Sequence, residues 1–106
     1  MVFVETGLFT RLLPGYLKDE EYRQLQAYLA RFPDAGAIIR GSNGVRKVRW
    51  GTGSRGKSGG VRVIYYWLNA ADQIFLLTLY GKNEQANLTA ADLKRVAKLL
   101  EELKHG

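Results

Sequence analysis

Residues 38–66 read IIRGSNGVRKVRWGTGSRGKSGGVRVIYY, and this basic, glycine-rich stretch determines how the rest of the chain is interpreted. Two segments in and just beyond it, Val45 to Trp50 and Val61 to Leu68, are rich in the β-branched and aromatic residues that favour strands. The ten residues between them, Gly51 to Gly60, include five glycines and two cations. The stretch predicts two adjacent antiparallel strands joined by a basic loop, with the second strand covered on both faces.

Before this stretch, the chain has the pattern of one strand followed by helices. Val2 to Glu5 is apolar enough to enter a sheet, and Gly7 to Leu13 is expected to be helical until Pro14-Gly15 interrupts it. Asp19 is expected to cap a longer helix that Pro33 ends. Its apolar residues recur at helical spacing and are expected to pack in the core: Tyr22, Leu25, Leu29 and Phe32.

After this stretch, the pattern continues with a hairpin and a final helix. Asn69 to Asp72 predicts a four-residue turn into the strand Gln73 to Tyr80. Thr89 and Asp92 have the spacing of a capping box, and the apolar stripe that follows predicts an amphipathic helix to the C-terminus. The sequence thus predicts a single domain over residues 1–106, of the α+β class with an antiparallel sheet.

The distribution of charge points to a polyanionic ligand. The formal net charge is +6, and no acidic residue lies between Asp34 and Asp72. Seven of the sixteen lysines and arginines fall in that interval: Arg40, Arg46, Lys47, Arg49, Arg55, Lys57 and Arg62. Nucleic acid is the polyanion that such a surface favours, with an anionic membrane or an acidic protein as alternatives.

Several chemistries are disfavoured by what the sequence lacks. It contains no cysteine, and its one histidine, His105, is the penultimate residue. No histidines or carboxylates have metal-ligand spacing, and the glycine-rich loop does not match the phosphate-binding loop of nucleotide triphosphatases, so we expect neither metal nor cofactor. No apolar run approaches the roughly 20 residues that span a bilayer, and the N-terminus lacks signal-peptide features. We therefore expect a cytoplasmic protein.

The two turns predict which side chains meet on the sheet. A symmetric loop at residues 51–60 places Arg49 opposite Arg62, because paired residue numbers then sum to about 111. The turn at residues 69–72 gives sums near 141 or 142, so Arg62 faces either Leu79 or Tyr80, with Lys82 just beyond. Directly opposed side chains share a face, but a slip of one residue reverses that face.

Opposed cations of this kind suit the binding of a phosphate. Like charges across a ladder destabilise a sheet unless an anion relieves them. Arginine stays charged and can stabilise the transition state of phosphodiester cleavage, whereas a lysine crowded by cations can exchange a proton. RNA supplies its own nucleophile, the 2′-hydroxyl. The competing interpretation is that these cations are merely solvated. The aromatic residues of the two later strands are expected in the core rather than on a stacking surface: Tyr65, Tyr66, Trp67 and Phe75.

The segments GVRKVRW (44–50), GKSGGVRVIYYW (56–67) and LYGKNE (79–84) resemble the RelE/ParE superfamily of bacterial type II toxins, most closely its HigB-like mRNA interferases. The order of elements is similar over nearly the whole chain. The resemblance implies a RelE-like fold, a curled antiparallel β-sheet with two N-terminal helices and a C-terminal helix. It also implies a metal-independent endoribonuclease that cuts mRNA in the ribosomal A site and inhibits translation, with a cognate antitoxin protein as partner.

Carried over residue by residue, the resemblance also implies a set of functional side chains. The implied catalytic residues are Lys47, Arg49, Lys57, Arg62, Tyr80 and Lys82. The implied RNA-binding residues are Arg40, Arg46 and Arg55. Arg49 stands where some relatives have lysine, which leaves Lys47, Lys57 and Lys82 as alternatives for the proton-transferring residue.

Two other functions fit parts of the pattern. A gyrase-directed, ParE-like toxin of the same superfamily would bind its target without catalysis, but such toxins generally lack the full set of basic residues. A non-catalytic RNA-binding protein would use the same basic face. Lys47, Arg49, Arg62 and Lys82 occur together here, which favours the nuclease.

Overall fold

The computed structural model describes residues 1–51 and 60–105, which form a five-stranded sheet with helices on both faces. In chain order the elements are β1 (Val2–Glu5), α1 (Gly7–Leu12), α2 (Asp19–Arg31), β2 (Ala37–Ile38), β3 (Arg46–Trp50), β4 (Val61–Leu68), β5 (Gln73–Gly81) and α3 (Ala90–His105). Short 3₁₀ turns follow α1 at Leu13–Gly15 and β4 at Asn69–Ala71. The α+β class is therefore confirmed, and the elements include those that the resemblance implied, with both N-terminal helices and the C-terminal helix present.

The strands lie in the order β1-β5-β4-β3-β2, so the apolar strand β4 is central, as its composition predicted. β3 and β5 both pair with it in antiparallel fashion. The expectation of a wholly antiparallel sheet was wrong at one edge, because β1 runs parallel to β5. Periodicity identified both strands but carries no information about the partner or direction of a strand 70 residues away.

Each face of the sheet has its own core. On the first face, helices α1 and α2 cover buried residues of the central strands, and the main contributors are Phe9, Leu25, Leu29, Val48, Val63, Tyr65 and Leu76. On the second face, α3 covers the others, namely Ile64, Phe75, Leu77, Tyr80, Val96 and Leu100. Tyr65 and Phe75 are thus core residues, as predicted. Phe32 is not, because its side chain is 46% exposed at the end of α2.

The two long helices begin in different ways. Thr89 and Asp92 form the predicted capping box of α3: the Asp92 N–H donates to Thr89 Oγ1 at 3.1 Å, and the Thr89 N–H donates to Asp92 Oδ2 at 3.0 Å. For α2 the predicted cap was wrong, because Asp19 is already the first helical residue. Lys18 precedes it, and the Lys18 N–H donates to the Glu21 carboxylate at 2.8 Å. That acidic first turn satisfies the helix end where a short polar cap side chain is missing.

A β-bulge interrupts the pairing of β4 with β5. Tyr65 pairs with Leu76, but the preceding residue of β4, Ile64, pairs with Thr78, so Leu77 has no partner in the register. The extra residue changes which side chains of β5 face each side of the sheet. Leu76 and Leu79 both face α1 and α2, whereas Leu77 lies in the core beneath α3.

Thr6 fixes this bulge from the first face of the sheet. It is the buried polar residue at the start of α1, with 3% of its surface exposed. Its hydroxyl donates to the carbonyl of the bulged Leu77 at 2.8 Å and accepts from the Phe9 N–H at 2.9 Å. One side chain therefore caps α1 and satisfies the carbonyl that the bulge leaves out of the ladder. No helix in the described part of the chain is long and apolar enough to cross a membrane.

Candidate functional site

Three side chains that the sequence predicted to meet form a row across the second face of the sheet. Arg49 of β3 is paired directly with Arg62 of β4, and Arg62 is paired with Tyr80 of β5. Val48 and Trp50 face the helices on the first face, so Arg49 between them points to the other side. The predicted pairing of Arg49 with Arg62 is thus confirmed. Of the two partners that the sequence left open for Arg62 on β5, Leu79 and Tyr80, the observed one is Tyr80.

The bulge is the reason that Tyr80 joins the row. From the turn to Tyr65 the paired residue numbers sum to 141, and from Ile64 onward they sum to 142. If the intact sequence paired without a bulge, Arg62 would be opposite Leu79, and Tyr80 would point towards α1 and α2. The bulge therefore places a phenol, rather than an aliphatic side chain, beside the two guanidinium groups.

Arg49 and Arg62 line a cleft at the end of β3 and β4. The cleft has a volume of about 430 Å³, and its described lining consists of Tyr28, Arg49, Trp50, Gly51, Gly60 and Arg62. Arg49 is exposed, whereas Arg62 is partly buried between its neighbouring strands. Like charges held directly opposite each other on a sheet repel, so the free protein retains this pair at a cost that an anion in the cleft would remove.

Two polar atoms of the row are buried without a partner. Among the described residues, neither Arg62 Nη1 nor Tyr80 Oη has a hydrogen-bond acceptor or donor within reach. Buried polar groups are nearly always paired, and an unpaired one typically costs about 1–3 kcal/mol. Both atoms can donate a hydrogen bond. Two unsatisfied donors on neighbouring strands are unusual in a folded protein, and an acceptor from outside the chain is one way to satisfy them.

The environment of Tyr80 keeps its hydroxyl protonated. Only 5% of the residue is exposed, and this burial is the main reason that its pKa is raised above the ordinary value of 10. The charge of Arg62 acts in the opposite direction and that of Asp92 in the same direction as burial. Tyr80 also lines a second cleft of about 290 Å³, between α1 and α3, together with Asp92 and Arg95. It is thus a neutral donor at neutral pH.

Lys47 lies on the same face but is displaced from the row. It pairs with Ile64 and its Nζ donates to Asn87 Oδ1, at 2.8 Å, in the segment that leads to α3. The Asn87 amide carries no charge and therefore does not neutralise the Lys47 side chain, which lies two residues from Arg49. The predicted neighbourhood of Lys47 and Arg49 is confirmed, but the functional role of Lys47 stays a prediction.

Lys82 lies one residue beyond β5, and its backbone N–H donates to the Gly60 carbonyl at 3.3 Å. It lines a third cleft, of about 280 Å³, in which Gly60 again forms part of the wall. The turn that carries it is held by Glu84, whose carboxylate accepts from the Gly81 N–H at 2.6 Å and from the Tyr16 hydroxyl. The hydrogen bond from the Tyr16 hydroxyl to the Glu84 carboxylate raises the pKa of Tyr16 to about 12 and lowers the pKa of Glu84. Lys82 is therefore positioned next to the row but in a separate cleft.

Arg46 has a different environment from the other predicted RNA-binding cations. It projects from the first face, and its Nη1 donates to the Asp34 and Gly36 carbonyls at 3.1 and 2.7 Å. Tyr65 holds the same segment, since its hydroxyl accepts from the Gly36 N–H at 2.9 Å and donates to the Pro33 carbonyl at 2.8 Å. These contacts give Arg46 a structural role. Its contact with RNA stays a prediction.

The remaining cations are either exposed or outside the described residues. Arg40 is exposed in the turn after β2. Arg55 and Lys57 lie outside the described residues. The salt bridges of the described chain join the N-terminal amine to Asp72, Arg23 to Glu20 and His105 to Glu101, so none of them neutralises the row. Residues 1–51 and 60–105 also contain no group of three potential metal-ligating side chains.

Sequence reasoning missed two residues of the main cleft, Tyr28 and Trp50. Both belong to elements that were predicted correctly, but the packing of α2 against the end of β3 could not be inferred from periodicity. A signal was nonetheless present, because Tyr28 and Phe32 are spaced i, i+4 on a line that is separate from the buried Leu25 and Leu29. An aromatic pair off the core stripe of a helix is a candidate surface feature.

A large part of the chain matches the model of a known protein family. A family model described as the RelE toxin of the RelE / RelB toxin-antitoxin system matches residues 36–105. The matched region extends from the residue before β2 to the end of α3, and it contains Arg49, Arg62, Tyr80 and Lys82. Helix α2, which contributes Tyr28 to the cleft, lies before it.

Proposed function

Because the chain belongs to the RelE toxin family of toxin-antitoxin systems, we propose that it is a ribosome-dependent endoribonuclease that cleaves translated mRNA. RelE-family toxins are generally ribosome-dependent endoribonucleases. Within the superfamily we assign the chain to the HigB-like toxins, on the motifs at residues 44–50, 56–67 and 79–84. The assigned reaction needs no metal ion, because its nucleophile belongs to the RNA and its charge stabilisation to arginines.

The observation that carries the proposal is the pairing of Arg49 with Arg62 in one cleft, with an unpaired buried Nη1 on Arg62. A phosphodiester oxygen supplies the acceptor that Nη1 lacks and the negative charge that separates the two guanidinium groups. Charge-assisted hydrogen bonds from arginine to phosphate are short, and they are frequently made by two N–H groups in parallel. A gyrase-binding surface would require neither the opposed arginines nor the orphaned donor.

The proposed reaction begins with attack of the 2′-oxygen of the RNA on the adjacent phosphorus. As this bond forms, the bond from phosphorus to the 5′-oxygen of the next nucleotide breaks, which leaves a 2′,3′-cyclic phosphate and a 5′-hydroxyl. The phosphorane-like transition state carries extra negative charge, and Arg49 and Arg62 stabilise it. Removing one such preorganised donor typically costs on the order of 100- to 1,000-fold in rate.

Proton transfer requires groups other than the arginines, which stay charged. Tyr80 is a neutral hydroxyl beside Arg62, and it is suited to donate a hydrogen bond or a proton to an oxygen of the phosphate. The candidates for accepting the 2′-hydroxyl proton are the lysines that the resemblance implies, Lys47, Lys57 and Lys82, and whichever one acts as the base must first lose its own proton. Single substitutions of these three lysines, compared at several pH values, identify the one whose loss changes the pH profile of cleavage.

A cognate antitoxin is the partner that the family implies, and the ribosome with A-site mRNA is the proposed target. The uncompensated cations on the second face favour an antitoxin segment with acidic residues. A cytoplasmic location follows from the proposed target.

The proposal is tested by inducing the protein in bacteria and mapping the 5′ ends of their mRNA. We expect growth arrest, a halt in translation and new 5′-hydroxyl ends within coding regions. Arg62→Ala should remove these cuts while the protein stays folded. Arg23→Ala provides the matched control, since neither Arg23 nor its exposed partner, Glu20, is among the described residues that line the cleft.

The ParE-like alternative predicts a different outcome in the same experiment. Intact mRNA together with defects in DNA supercoiling would refute the nuclease and support a gyrase-directed toxin. Protein that binds mRNA on ribosomes without producing new ends would instead indicate a non-catalytic RNA-binding protein. Cleavage that persists after Arg62→Ala would show that the arginine row does not carry the chemistry.

A further inference from the structure

Three aromatic rings form a continuous row at the surface of α2 and the end of β3. The ring centroids of Phe32 and Tyr28 are 5.4 Å apart, and those of Tyr28 and Trp50 are 5.3 Å apart. Tyr28 is 38% exposed and Phe32 46% exposed, which is unusual for large apolar side chains in a helix with a well-formed buried stripe. These three aromatic rings lie outside the core, although each is large enough to belong to it.

Trp50, at one end of the three rings, is held in place. The Trp50 indole N–H donates to the Glu21 carbonyl of α2 at 3.3 Å, and the Trp50 ring packs against the core of the first face. Tyr28 rests on this fixed ring. The tilt between the two rings is 42°, so they form the sides of a wedge rather than a closed stack. The wedge presents aromatic surface that does not need to rearrange before it contacts a ligand.

The wedge and the two arginines lie on opposite faces of the sheet, and the two faces meet in one cleft at the ends of β3 and β4. Tyr28 and Trp50 line the space of about 430 Å³ that Arg49 and Arg62 also line. This volume lies within the roughly 300–1,000 Å³ of sites that bind small molecules. Aromatic faces and guanidinium groups in one cleft match the two parts of a nucleotide, a flat base and a charged phosphate.

We propose that Tyr28 and Trp50 form a stacking site for one nucleobase of single-stranded RNA, beside the phosphate that Arg49 and Arg62 bind. The identity of the ligand as RNA rests on the proposed function, whereas the stacking site rests on the geometry of the cleft. The site contacts the flat face that all bases share. It therefore contributes affinity and orientation with little sequence preference. It fixes the nucleotide next to the scissile phosphate.

The experiment measures base-dependent binding directly, without cleavage. The chain has two tryptophans, and Trp67→Phe leaves Trp50 as the single tryptophan, which can be excited selectively over the tyrosines. This background substitution removes an indole N–H that is buried without a partner among the described residues, so it should be tolerated. Hexa-adenylate RNA at low salt is expected to quench Trp50 fluorescence. An abasic hexamer with the same phosphates should bind more weakly and leave the fluorescence nearly unchanged.

Variants at Tyr28 separate stacking from other contributions. Stacking on an aromatic side chain accounts for about a 5- to 150-fold difference in affinity per base, so Tyr28→Leu should weaken binding of hexa-adenylate by that factor. Tyr28→Phe keeps the ring and should bind like the parent protein. Ile38→Ala is the matched control, because Ile38 is 59% exposed on β2 and outside the cleft, and it should also bind normally.

Each outcome decides the proposal. Equal affinity for hexa-adenylate and the abasic hexamer, or unchanged affinity in Tyr28→Leu, overturns it. An equal loss in Ile38→Ala also overturns it, because general apolar surface would then explain the binding. A Tyr28→Leu protein that binds RNA normally but no longer binds an acidic antitoxin peptide assigns the wedge to protein recognition instead. Failure of the nuclease test alone would leave the stacking result standing, since this titration requires no cleavage.

Discussion

Replacing Arg62 by methionine is expected to stabilise the free protein while it removes the activity. Methionine keeps most of the unbranched apolar stem but has no charge and no N–H donors. The substitution removes the buried Nη1 that lacks a partner among the described residues, and it ends the repulsion from Arg49 directly opposite. An unpaired buried group typically costs about 1–3 kcal/mol, so we expect the free energy of unfolding to rise by about 1 kcal/mol.

The assay for stability is urea denaturation followed by tryptophan fluorescence. With a slope of roughly 1.5 kcal/mol per molar urea for a protein of this size, a gain of about 1 kcal/mol raises the midpoint by about 0.7 M. Cleavage of mRNA on translating ribosomes should meanwhile fall on the order of 100- to 1,000-fold, as expected when one transition-state donor is lost. The two effects have opposite signs, which a simple folding defect cannot produce.

The control and the refuting result use the same two measurements. Arg23→Met removes an exposed arginine on α2, and it should change the unfolding free energy by no more than about 0.5 kcal/mol and leave cleavage intact. If Arg62→Met lowered the midpoint by a similar 0.7 M, then Nη1 would have a structural partner and the orphaned-donor argument would be wrong. If cleavage were retained, Arg62 would not contact the reacting phosphate.

Three further predictions concern single side chains. Arg49→Ala should reduce the slope of log K against log salt for single-stranded RNA by about 0.7, as expected for one lost phosphate contact, and an unchanged slope would exclude that contact. Thr89→Ala should lower the unfolding free energy by about 1 kcal/mol in urea titrations, because Asp92 loses its partner in the capping box, and an unaltered midpoint would contradict this. Glu84→Gln should be less stable than the parent near pH 7. The hydrogen bond from Tyr16 lowers the folded-state pKa of Glu84 below 4.5, so this difference is present above 4.5 and closes as pH falls through the folded-state pKa. A gap that does not narrow as the pH falls below 4.5 would refute it.

Much of the site could be predicted because sheet geometry is regular. The alternation of side chains, combined with the centre of the loop at 51–60, was sufficient to place Arg49 opposite Arg62. The strand β4 was predicted with its bounds, since its composition on both faces suits a central strand. These are local or nearly symmetric features, and they depend on residues close together in sequence.

Features that depend on long-range packing were not predictable in the same way. The parallel pairing of β1 with β5, and the contact between Tyr28 and Trp50, join segments with no sequence relation to each other. The role of Arg46 was missed because the segment that it holds, residues 33–36, has no periodicity of its own. The choice between Leu79 and Tyr80 required the position of a bulge, which the turn alone does not determine.

The bulge at Leu77 means that β5 contains one residue more than its neighbour needs between the turn and the site. Deletion of Leu77 would give the two strands equal length and still leave Tyr80 opposite Arg62, because the ladder would become regular without changing its far end. The site should therefore survive the loss of a whole residue from a buried strand, at the cost of core packing under α3. Loss of the Thr6 hydroxyl is expected to be the more dangerous change for function, since it removes the side-chain hydrogen bond to the carbonyl of the bulged Leu77. In this sheet, tolerance to a change in chain length and tolerance to a change in side chain are separate properties.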